Sequence, residues 1–290
     1  MPEKSSLRSL IARDKPLVSP LAHDALSARL IGMAGFHSIG IGGSSLLAAR
    51  YGLPDIGLAA LAEMKAGIED ILAATDLPVL VDGDDGYGDV KSVAHMVEVY
   101  TRLGVSGIVL EDQVRRAKQP GDSGAVGVVG IGEMTAKLKV AVATSSSSGI
   151  QIVARCDAYR LEGLAGAIRR AERYLAAGAH GIFIPGILTV AELAEVGKQF
   201  RDTHLMIAMF EGRETWLPPT ELYEMGFRHV TFPGLLIPRL VQCLSTALAE
   251  FKGHVDGDAP MPVFAGARQA EESLQKALMF DRWKAIGTPV

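Results

Sequence analysis

Length, composition and charge describe an ordinary globular chain. It has 290 residues, of which 48% are hydrophobic, a net charge of −4 and a pI near 6.0. Such a length permits a large buried core in one or two domains. The slightly acidic balance argues against a nucleic-acid partner, because that kind of binding depends on Lys and Arg side chains that neutralise phosphates.

The sequence also argues against a membrane or secreted protein. No apolar run approaches the roughly 20 residues of a membrane span, and the charged N-terminal stretch lacks the apolar core of a signal peptide. The two cysteines, Cys156 and Cys243, lie far apart and form no motif. Because they do not indicate a disulfide framework, we predict a cytoplasmic protein.

Short β-branched runs alternate with amphipathic helical segments along most of the chain, as in a parallel sheet with crossover helices. Several helical segments end in a glycine before the next strand, at Gly104, Gly178 and Gly226 for example, which is typical of a left-handed helix cap. Eight such units predict a (β/α)8 barrel. A doubly wound open sheet is the alternative, since periodicity does not distinguish the two. The predicted strands are Leu17–Ala22, Ser38–Gly43, Val79–Asp84, Gly107–Asp112, Ile150–Asp157, Gly181–Gly186, Leu205–Phe210 and His229–Gly234.

The composition changes near Gly253–Pro262, where Gly, Asp and Pro cluster. Beyond this point, Ala267–Ala285 has the pattern of an amphipathic helix with no barrel strand left to follow. We therefore predict a barrel over residues 1–252 and a C-terminal helical extension over residues 253–290. The extension is expected to pack on a partner subunit or along the outside of the barrel.

Acidic residues gather where two predicted strands end. The run Val79–Val90 (VLVDGDDGYGDV) passes from an apolar strand to Asp82, Asp84 and Asp85, and the next strand ends in Glu111. In a barrel, active sites form at this end of the strands. Crowded carboxylates require a cation or a proton, and hard oxygen ligands suit Mg²⁺ or Mn²⁺ better than zinc. Single acids of this kind are mostly helix caps or surface residues, but two acidic strand ends favour a metal site.

Four motifs follow the predicted strands in order. They are GGSSLLAARYGLPDIG (Gly42–Gly57), DGDDGYGD (Asp82–Asp89), LEDQ (Leu110–Gln113) and ARCDA (Ala154–Ala158). In this order they resemble the isocitrate lyase/phosphoenolpyruvate mutase superfamily over residues 7–250. The resemblance implies a (β/α)8 barrel, usually a homotetramer whose last helix is exchanged between paired subunits. It also implies Mg²⁺-dependent chemistry on small 2-oxo or 2-hydroxy acids through an enolate or, in the phosphonate branch, cleavage of a C–P bond.

The same resemblance assigns roles to the acids. Asp82 is expected to bind the metal directly, while Asp55, Asp84 and Glu111 hold its water ligands and so complete the octahedron that Mg²⁺ requires. Mn²⁺ is the expected substitute. The metal would chelate a small dicarboxylate, the implied partner, and stabilise the negative charge that develops as a carbon–carbon bond breaks.

Arg155 matches the arginine of the superfamily that clamps substrate oxygens, because its planar guanidinium suits a carboxylate. From the residues alone, the alternative for Arg155 is an internal ion pair with Asp157. An anion cradle is expected at small residues whose backbone a ligand can approach closely. These residues are Gly42, Gly43, Ser44 and Ser45.

Two further residues are expected in the pocket. Glu211, followed by Trp216, lies in a segment that resembles the part of the malate-type lyases that contains a pocket glutamate. Tyr87 lies between two glycines in the acidic motif after the third predicted strand. Together with Arg155, these two residues form the predicted catalytic set.

The loop after the fourth strand departs from the superfamily. Its lyases carry a lysine-arginine-cysteine-glycine-histidine signature on this loop, and the cysteine does acid/base work. Here the loop is Gln113–Ala125, and Gln119 or Pro120 occupies the cysteine's place. Cys156 does not replace it, because a thiol within a strand unit is more often a small core hydrophobe.

The complete acid set and the missing cysteine together favour a Mg²⁺-dependent lyase. Decarboxylation of the oxaloacetate type fits best, because breaking that bond requires no acid/base thiol, and cleavage of a substituted malate comes next. The alternatives are a phosphonate mutase or hydrolase of the phosphonopyruvate type, and a barrel that binds a dicarboxylate without catalysis.

Overall fold

The computed structural model describes residues 6–118 and 127–286. Eight parallel strands form a closed barrel in sequential order, and the last strand pairs with the first. The predicted (β/α)8 barrel is therefore confirmed, and the open sheet is wrong because the barrel strands leave no free edge. The strands are β1 (Leu17–Ala22), β2 (Ile39–Ile41), β3 (Val79–Asp82), β4 (Gly107–Glu111), β5 (Gln151–Arg155), β6 (Gly181–Phe183), β7 (His204–Ala208) and β8 (His229–Phe232).

Most strands end earlier than predicted. Strand β2 ends at Ile41, because Gly43 already begins the next helix, and β3 ends at Asp82. The acids at positions 84 and 85 therefore lie in the loop beyond β3, where backbone turns rather than sheet pairing set their direction. Asp84 itself has a φ of 47°, in the left-handed region that Asp tolerates better than most residues.

Helices alternate with the strands along the chain, and three more helices follow the last strand within the described residues. No helix among the residues that the structure describes is long and apolar enough to cross a membrane; the cytoplasmic location remains a prediction. The helices are α1 (Leu7–Ile11), α2 (Ala25–Met33), α3 (Gly43–Tyr51), α4 (Leu61–Leu72), α5 (Val90–Leu103), α6 (Ile131–Ser145), α7 (Tyr159–Ala176), α8 (Val190–Gln199), α9 (Pro219–Met225), α10 (Ile237–Val255), α11 (Ala267–Ala277) and α12 (Phe280–Ile286).

Large apolar side chains fill the barrel interior, so the barrel is a packed support and not a pore. One cluster joins inward-facing residues of β3 to β7 with two leucines of α1, Leu7 and Leu10. Leu7 packs where β4 begins, since a Cβ at Gly107 would lie 2.7 Å from its Cδ2 atom. Helix α1 thus packs against the core at the N-terminal end of the barrel and leaves the opposite end for the site.

The chain divides into two compact units, Met1–Leu235 and Leu236–Val290. The second unit contains α10, α11 and α12. The single helix predicted over Ala267–Ala285 is wrong: the chain is interrupted at Met279, whose φ of 52° is incompatible with a continuous right-handed helix. The predicted exchange of this region between subunits remains a prediction.

Helices α8 and α9 approach so closely that their contact requires a glycine. A Cβ at Gly197 would clash with the carbonyl group of Met225 and lie 2.9 Å from its carbonyl carbon. We expect Gly197→Ala to lower the free energy of unfolding by about 2 kcal/mol, because backbone cannot yield as a flexible side chain does. Urea unfolding measures the effect. Gly132→Ala is the matched control: it lies in α6 with nothing within 4 Å of the added Cβ, and it should stabilise the protein by up to about 1 kcal/mol. Equal stability of the two variants would contradict the close helix contact.

Candidate active site

Three carboxylates, two from loops and one from the end of a strand, surround one ammonium group at the C-terminal end of the barrel. Lys118 Nζ lies 3.0 Å from Asp55 Oδ1, 2.5 Å from Asp84 Oδ1 and 3.4 Å from Glu111 Oε1. Asp55 follows α3, Asp84 follows β3, and Glu111 is the last residue of β4. The barrel thus brings residues from distant parts of the sequence around a single positive charge.

Asp82 lies next to this cluster and is held by backbone N–H groups. Its Oδ2 accepts a hydrogen bond from Gly43 N at 3.3 Å, and its Oδ1 accepts one from Asp84 N at 3.0 Å. A Cβ at Gly43 would lie 3.4 Å from Asp82 Oδ2 and 3.5 Å from Asp55 Oδ2. The absence of a side chain therefore leaves space between α3 and the two carboxylates.

The predicted anion cradle forms the N-terminal end of α3. Gly42 is the N-cap residue and has no side chain to cap the helix. Ser45 Oγ donates to Gly42 O at 3.2 Å, whereas Ser44 is exposed. The first backbone N–H groups of a helix have no acceptor within it, so this turn presents N–H groups near Asp82.

Burial makes two acids of the cluster, Glu111 and Asp84, unusually basic. Burial raises the pKa of Glu111 to about 8, against the opposing charges of Arg155 and Lys118. Burial and the nearby charge of Asp82 raise the pKa of Asp84 to about 6. Burial lowers the pKa of Lys118, but the surrounding carboxylates outweigh it and raise that pKa far above its ordinary value. The lysine is therefore charged at neutral pH, while Glu111 and Asp84 exchange protons within about one unit of neutral pH.

Arg155, the last residue of β5, lies between two acids. Its Nη1 is 3.2 Å from Glu111 Oε2, and its Nη2 is 2.8 Å from Asp157 Oδ1. Its guanidinium also lies over the ring of Phe183, 5.6 Å from the centroid. The ion pair with Asp157 that was the alternative reading is present, and it fixes an arginine that also borders the carboxylate cluster.

Tyr87 lies in the loop that follows β3, and Glu211 lies in the loop that follows β7. The hydroxyl of Tyr87 is 3.2 Å from that of buried Tyr100 in α5, and burial raises the pKa of Tyr87 well above its ordinary value. Glu211 is exposed in the turn that follows β7. Their predicted catalytic roles therefore remain predictions.

Two cations that the sequence analysis did not assign hold Asp85. Arg115 Nη1 lies 3.2 Å from Asp85 Oδ1 and 3.7 Å from Asp84 Oδ2, and Lys137 Nζ donates to the carbonyl oxygen of Asp85 at 2.9 Å. Lys137 extends from α6 and is almost fully buried. The pairing balances the third acid of the motif and leaves Asp55, Asp84 and Glu111 around Lys118.

Lys118 was also missed, although a signal for it was present. If Pro120 stands in the place of the signature cysteine, the lysine of the signature falls two residues earlier, at Lys118. Gln119 and Pro120 themselves lie outside the described residues. Cys156 is fully buried, its Sγ is 3.7 Å from Ala167 O, and burial raises the pKa of its thiol. It is thus a core residue, as expected.

The rim beyond β6 carries several aromatic rings. Trp216 meets the ring of Phe232 edge-on at 5.5 Å between centroids, and Arg213 lies over the ring of Phe210 at 4.6 Å. Trp216 is 39% exposed. The C-terminal end of the barrel therefore has a charged half, from β3 to β5, and a half lined by aromatic rings.

The described part of the site offers the oxygen ligands that a divalent metal needs but does not enclose one. Among residues 6–118 and 127–286, no three His, Cys, Asp or Glu side chains converge closely enough to enclose an ion. The acids surround an ammonium instead, and carboxylate oxygens are the ligands that Mg²⁺ prefers. Chemically, these oxygen ligands fit such a cation.

A closed (β/α)8 barrel with this ionic cluster at its C-terminal end defines a barrel enzyme. The chain belongs to the phosphoenolpyruvate phosphomutase family, whose sequence model matches residues 7–252. It is 34% identical to 2,3-dimethylmalate lyase of Eubacterium barkeri over 229 residues, 79% of either chain. It is 36% identical to probable 2-methylisocitrate lyase 1 of Corynebacterium glutamicum over 236 residues, 81% of this chain and 77% of that one.

Solved structures agree with the sequence matches. Oxaloacetate acetylhydrolase in complex with the inhibitor 3,3-difluorooxalacetate superposes with a TM-score of 0.87 at 27% identity, over 99% of this chain and 98% of that one. These similarities confirm the predicted superfamily and the predicted lyase class.

Removal of the shared ammonium should destabilise the metal-free protein in a pH-dependent way. Glu111 has an ordinary pKa of 4.5 in the unfolded chain and a pKa of about 8 in the folded protein. Its contribution to stability therefore falls as the pH rises from 4.5 to about 8. The positive charge of Lys118 limits this loss of stability, because it attracts the ionised carboxylate of Glu111. We expect Lys118→Met to lose about 3 kcal/mol at pH 8 and clearly less at pH 5, measured by urea unfolding in EDTA. Exposed Lys139 provides the control variant, Lys139→Met. An equal loss at both pH values would contradict the assigned charge balance.

Proposed function

We propose that this protein is a Mg²⁺-dependent carbon–carbon lyase that acts on a small 2-oxo or 2-hydroxy dicarboxylate. The observation that carries the proposal is the convergence of Asp55, Asp84 and Glu111 on one positive charge, with Arg155 directly beside it. The dicarboxylates named for the similar proteins support the substrate class. Mn²⁺ is the expected alternative cation.

Asp82 would hold the metal directly, and Asp55, Asp84 and Glu111 would hold its water ligands. Once bound, the ion would add positive charge beside the substrate's carboxylate and the neighbouring oxygen.

The chain's own groups orient the substrate. Arg155 binds one carboxylate, and its fixed pairs with Glu111 and Asp157 limit the directions its fork can take. The first N–H groups of α3 that follow Gly43 bind further substrate oxygens. Lys118 places a permanent positive charge where negative charge develops on the substrate.

Decarboxylation of oxaloacetate is the reaction that requires least from the chain. The bond from C3 to the leaving carboxylate breaks, CO₂ departs, and the electron pair moves to the 2-oxo group as an enolate. The enolate then takes a proton at C3, which water can supply. Positive charge from Lys118 and Arg155 stabilises the developing enolate. No thiol takes part, which suits a chain whose Cys156 is buried.

Cleavage of a substituted malate is the second candidate, and the aromatic half of the rim favours it. Trp216 and Phe232 present an apolar surface on the same end of the barrel as the acids. An alkyl substituent on the substrate would find contact there, whereas oxaloacetate has no group to place against it.

A substrate panel tests the proposal directly. Turnover of oxaloacetate, 2,3-dimethylmalate, 2-methylisocitrate and phosphonopyruvate is measured with Mg²⁺, with Mn²⁺ and with EDTA. We expect turnover of at least one carboxylate, its loss in EDTA and its recovery with added Mg²⁺. Phosphate release from phosphonopyruvate alone would establish the phosphonate alternative instead. Oxalate binding without any turnover would establish a non-catalytic dicarboxylate-binding barrel.

Asp82→Asn should remove metal-dependent turnover. We expect a loss of more than about 100-fold, because even outer partners of a metal ligand cost about 10–100-fold when changed. Initial rates at saturating Mg²⁺ measure the loss. Asp89→Asn is the matched control, because Asp89 belongs to the same motif but is exposed and caps α5. Retained activity in Asp82→Asn would show that the ligand assignment is wrong.

Trp216→Ala should separate the two candidate reactions. If an alkyl substituent packs against this ring, kcat/KM for 2,3-dimethylmalate falls about tenfold, while that for oxaloacetate stays within about twofold. Trp216→Phe, which keeps a ring against Phe232, should retain most of the dimethylmalate activity. An equal loss for both substrates would assign Trp216 a structural role only.

A further inference from the structure

Asp112, the residue after β4, is fully buried and connects several elements of the barrel. Its Oδ1 accepts a hydrogen bond from Asp157 N at 2.8 Å, and its Oδ2 accepts one from the hydroxyl of Tyr174 in α7 at 2.6 Å. Its carbonyl oxygen accepts from Val129 N at 2.8 Å. Since Asp157 is the ion-pair partner of Arg155, Asp112 sets the position of the backbone from which that partner extends.

Arg170 of α7 contacts the same group from the outside of the barrel. Its Nη1 donates to Val129 O at 2.8 Å and lies 3.5 Å from Asp112 Oδ2. The side chain is only 7% exposed. Arg170 therefore fixes both Asp112 and the segment by which the chain returns to the barrel ahead of α6.

The chain holds Arg170 in this direction by an unusual local fold. Residues eight apart in a continuous α-helix are separated by about 12 Å, yet Glu162 Oε1 lies 2.6 Å from Arg170 Nη2. Helix α7 is interrupted at Gly163, whose φ is 68°, and this break turns Glu162 back onto the helix. A Cβ at Gly166 would clash with Glu162, so a second glycine is required for the same contact.

We propose that Arg170, held by Glu162 across the break at Gly163, is a positioning residue for the substrate clamp. Arg170 touches neither the acid cluster nor the clamp, and acts through Asp112 and Asp157 on Arg155. This inference rests on the proposed role of Arg155 as the group that binds a substrate carboxylate. Side chains of helix α7, outside the barrel wall, would thus help to set the direction of Arg155.

Three measurements on Arg170→Lys and Glu162→Gln test the inference. Arg170→Lys keeps the charge but loses the fork that reaches two acceptors. Glu162→Gln weakens the hold on the Arg170 guanidinium, which still has Asp112 as a charged partner. This second variant tests the inference if Arg170→Lys does not fold. We expect KM for oxaloacetate with Mg²⁺, and the Kd of oxalate, to rise about tenfold. The kcat should stay within about twofold, because the lost contact binds the substrate and the transition state equally. Hydrogen exchange at the amides of Asp157 and Val129 should accelerate more than in other buried amides.

Arg169→Lys is the matched control, because Arg169 lies beside Arg170, also pairs with Glu162 and is 64% exposed. It should leave all three measurements unchanged. Unchanged exchange at Asp157 in both test variants would overturn the inference, as would equal effects in Arg169→Lys. If the wild-type protein neither decarboxylates oxaloacetate nor binds oxalate, the proposed function fails, and exchange at Asp157 alone then decides whether Arg170 positions the clamp's partner.

Discussion

Buried carboxylates that repel one another can remain together only if positive charge lies between them, and the whole site depends on this balance. Asp55, Asp84 and Glu111 share Lys118, while Asp85 is held by Arg115 and Lys137. A group of acids without such partners would take up protons or move apart. The raised pKa values of Glu111 and Asp84 show that these positive charges do not fully offset the cost of burying the ionised carboxylates. The protonation of Glu111 and Asp84 should therefore change when a charged ligand binds beside them.

The closed barrel makes this concentration of charge possible. Its packed apolar interior and the leucines of α1 stabilise one end, so that the other end can hold groups that cost stability. Parallel strands bring their C-terminal ends together, and residues far apart in sequence meet there. Because β3 to β5 supply charges and the rim beyond β6 supplies rings, the same end offers an ionic surface and an apolar surface to one ligand.

The sequence predicted the barrel and its strands because most strand units carry a local signal, an apolar run followed by an amphipathic helix, and several of these helices end in a glycine. It predicted the acids because they stand at strand ends within recognisable motifs. The partners of the acids were harder to predict: Lys118, Arg115 and Lys137 lie in a loop and a helix, where cations are usually solvated. Only the folded loop shows that their ammonium and guanidinium groups turn inward. The break after Met279 was missed because periodicity continues across it.

The side chain of Arg155 is held in one conformation by the groups around it. An arginine side chain has many rotamers, and a clamp that samples them binds weakly. Here Glu111 and Asp157 hold two sides of the fork, and the ring of Phe183 lies against its face. Asp157 is in turn held by Asp112, and Asp112 by Tyr174 and Arg170 of α7. Each group is thus held by the next one, and the last two belong to helix α7. The geometry of the ionic cluster is therefore set by the barrel wall as well as by Arg155 and the acids themselves.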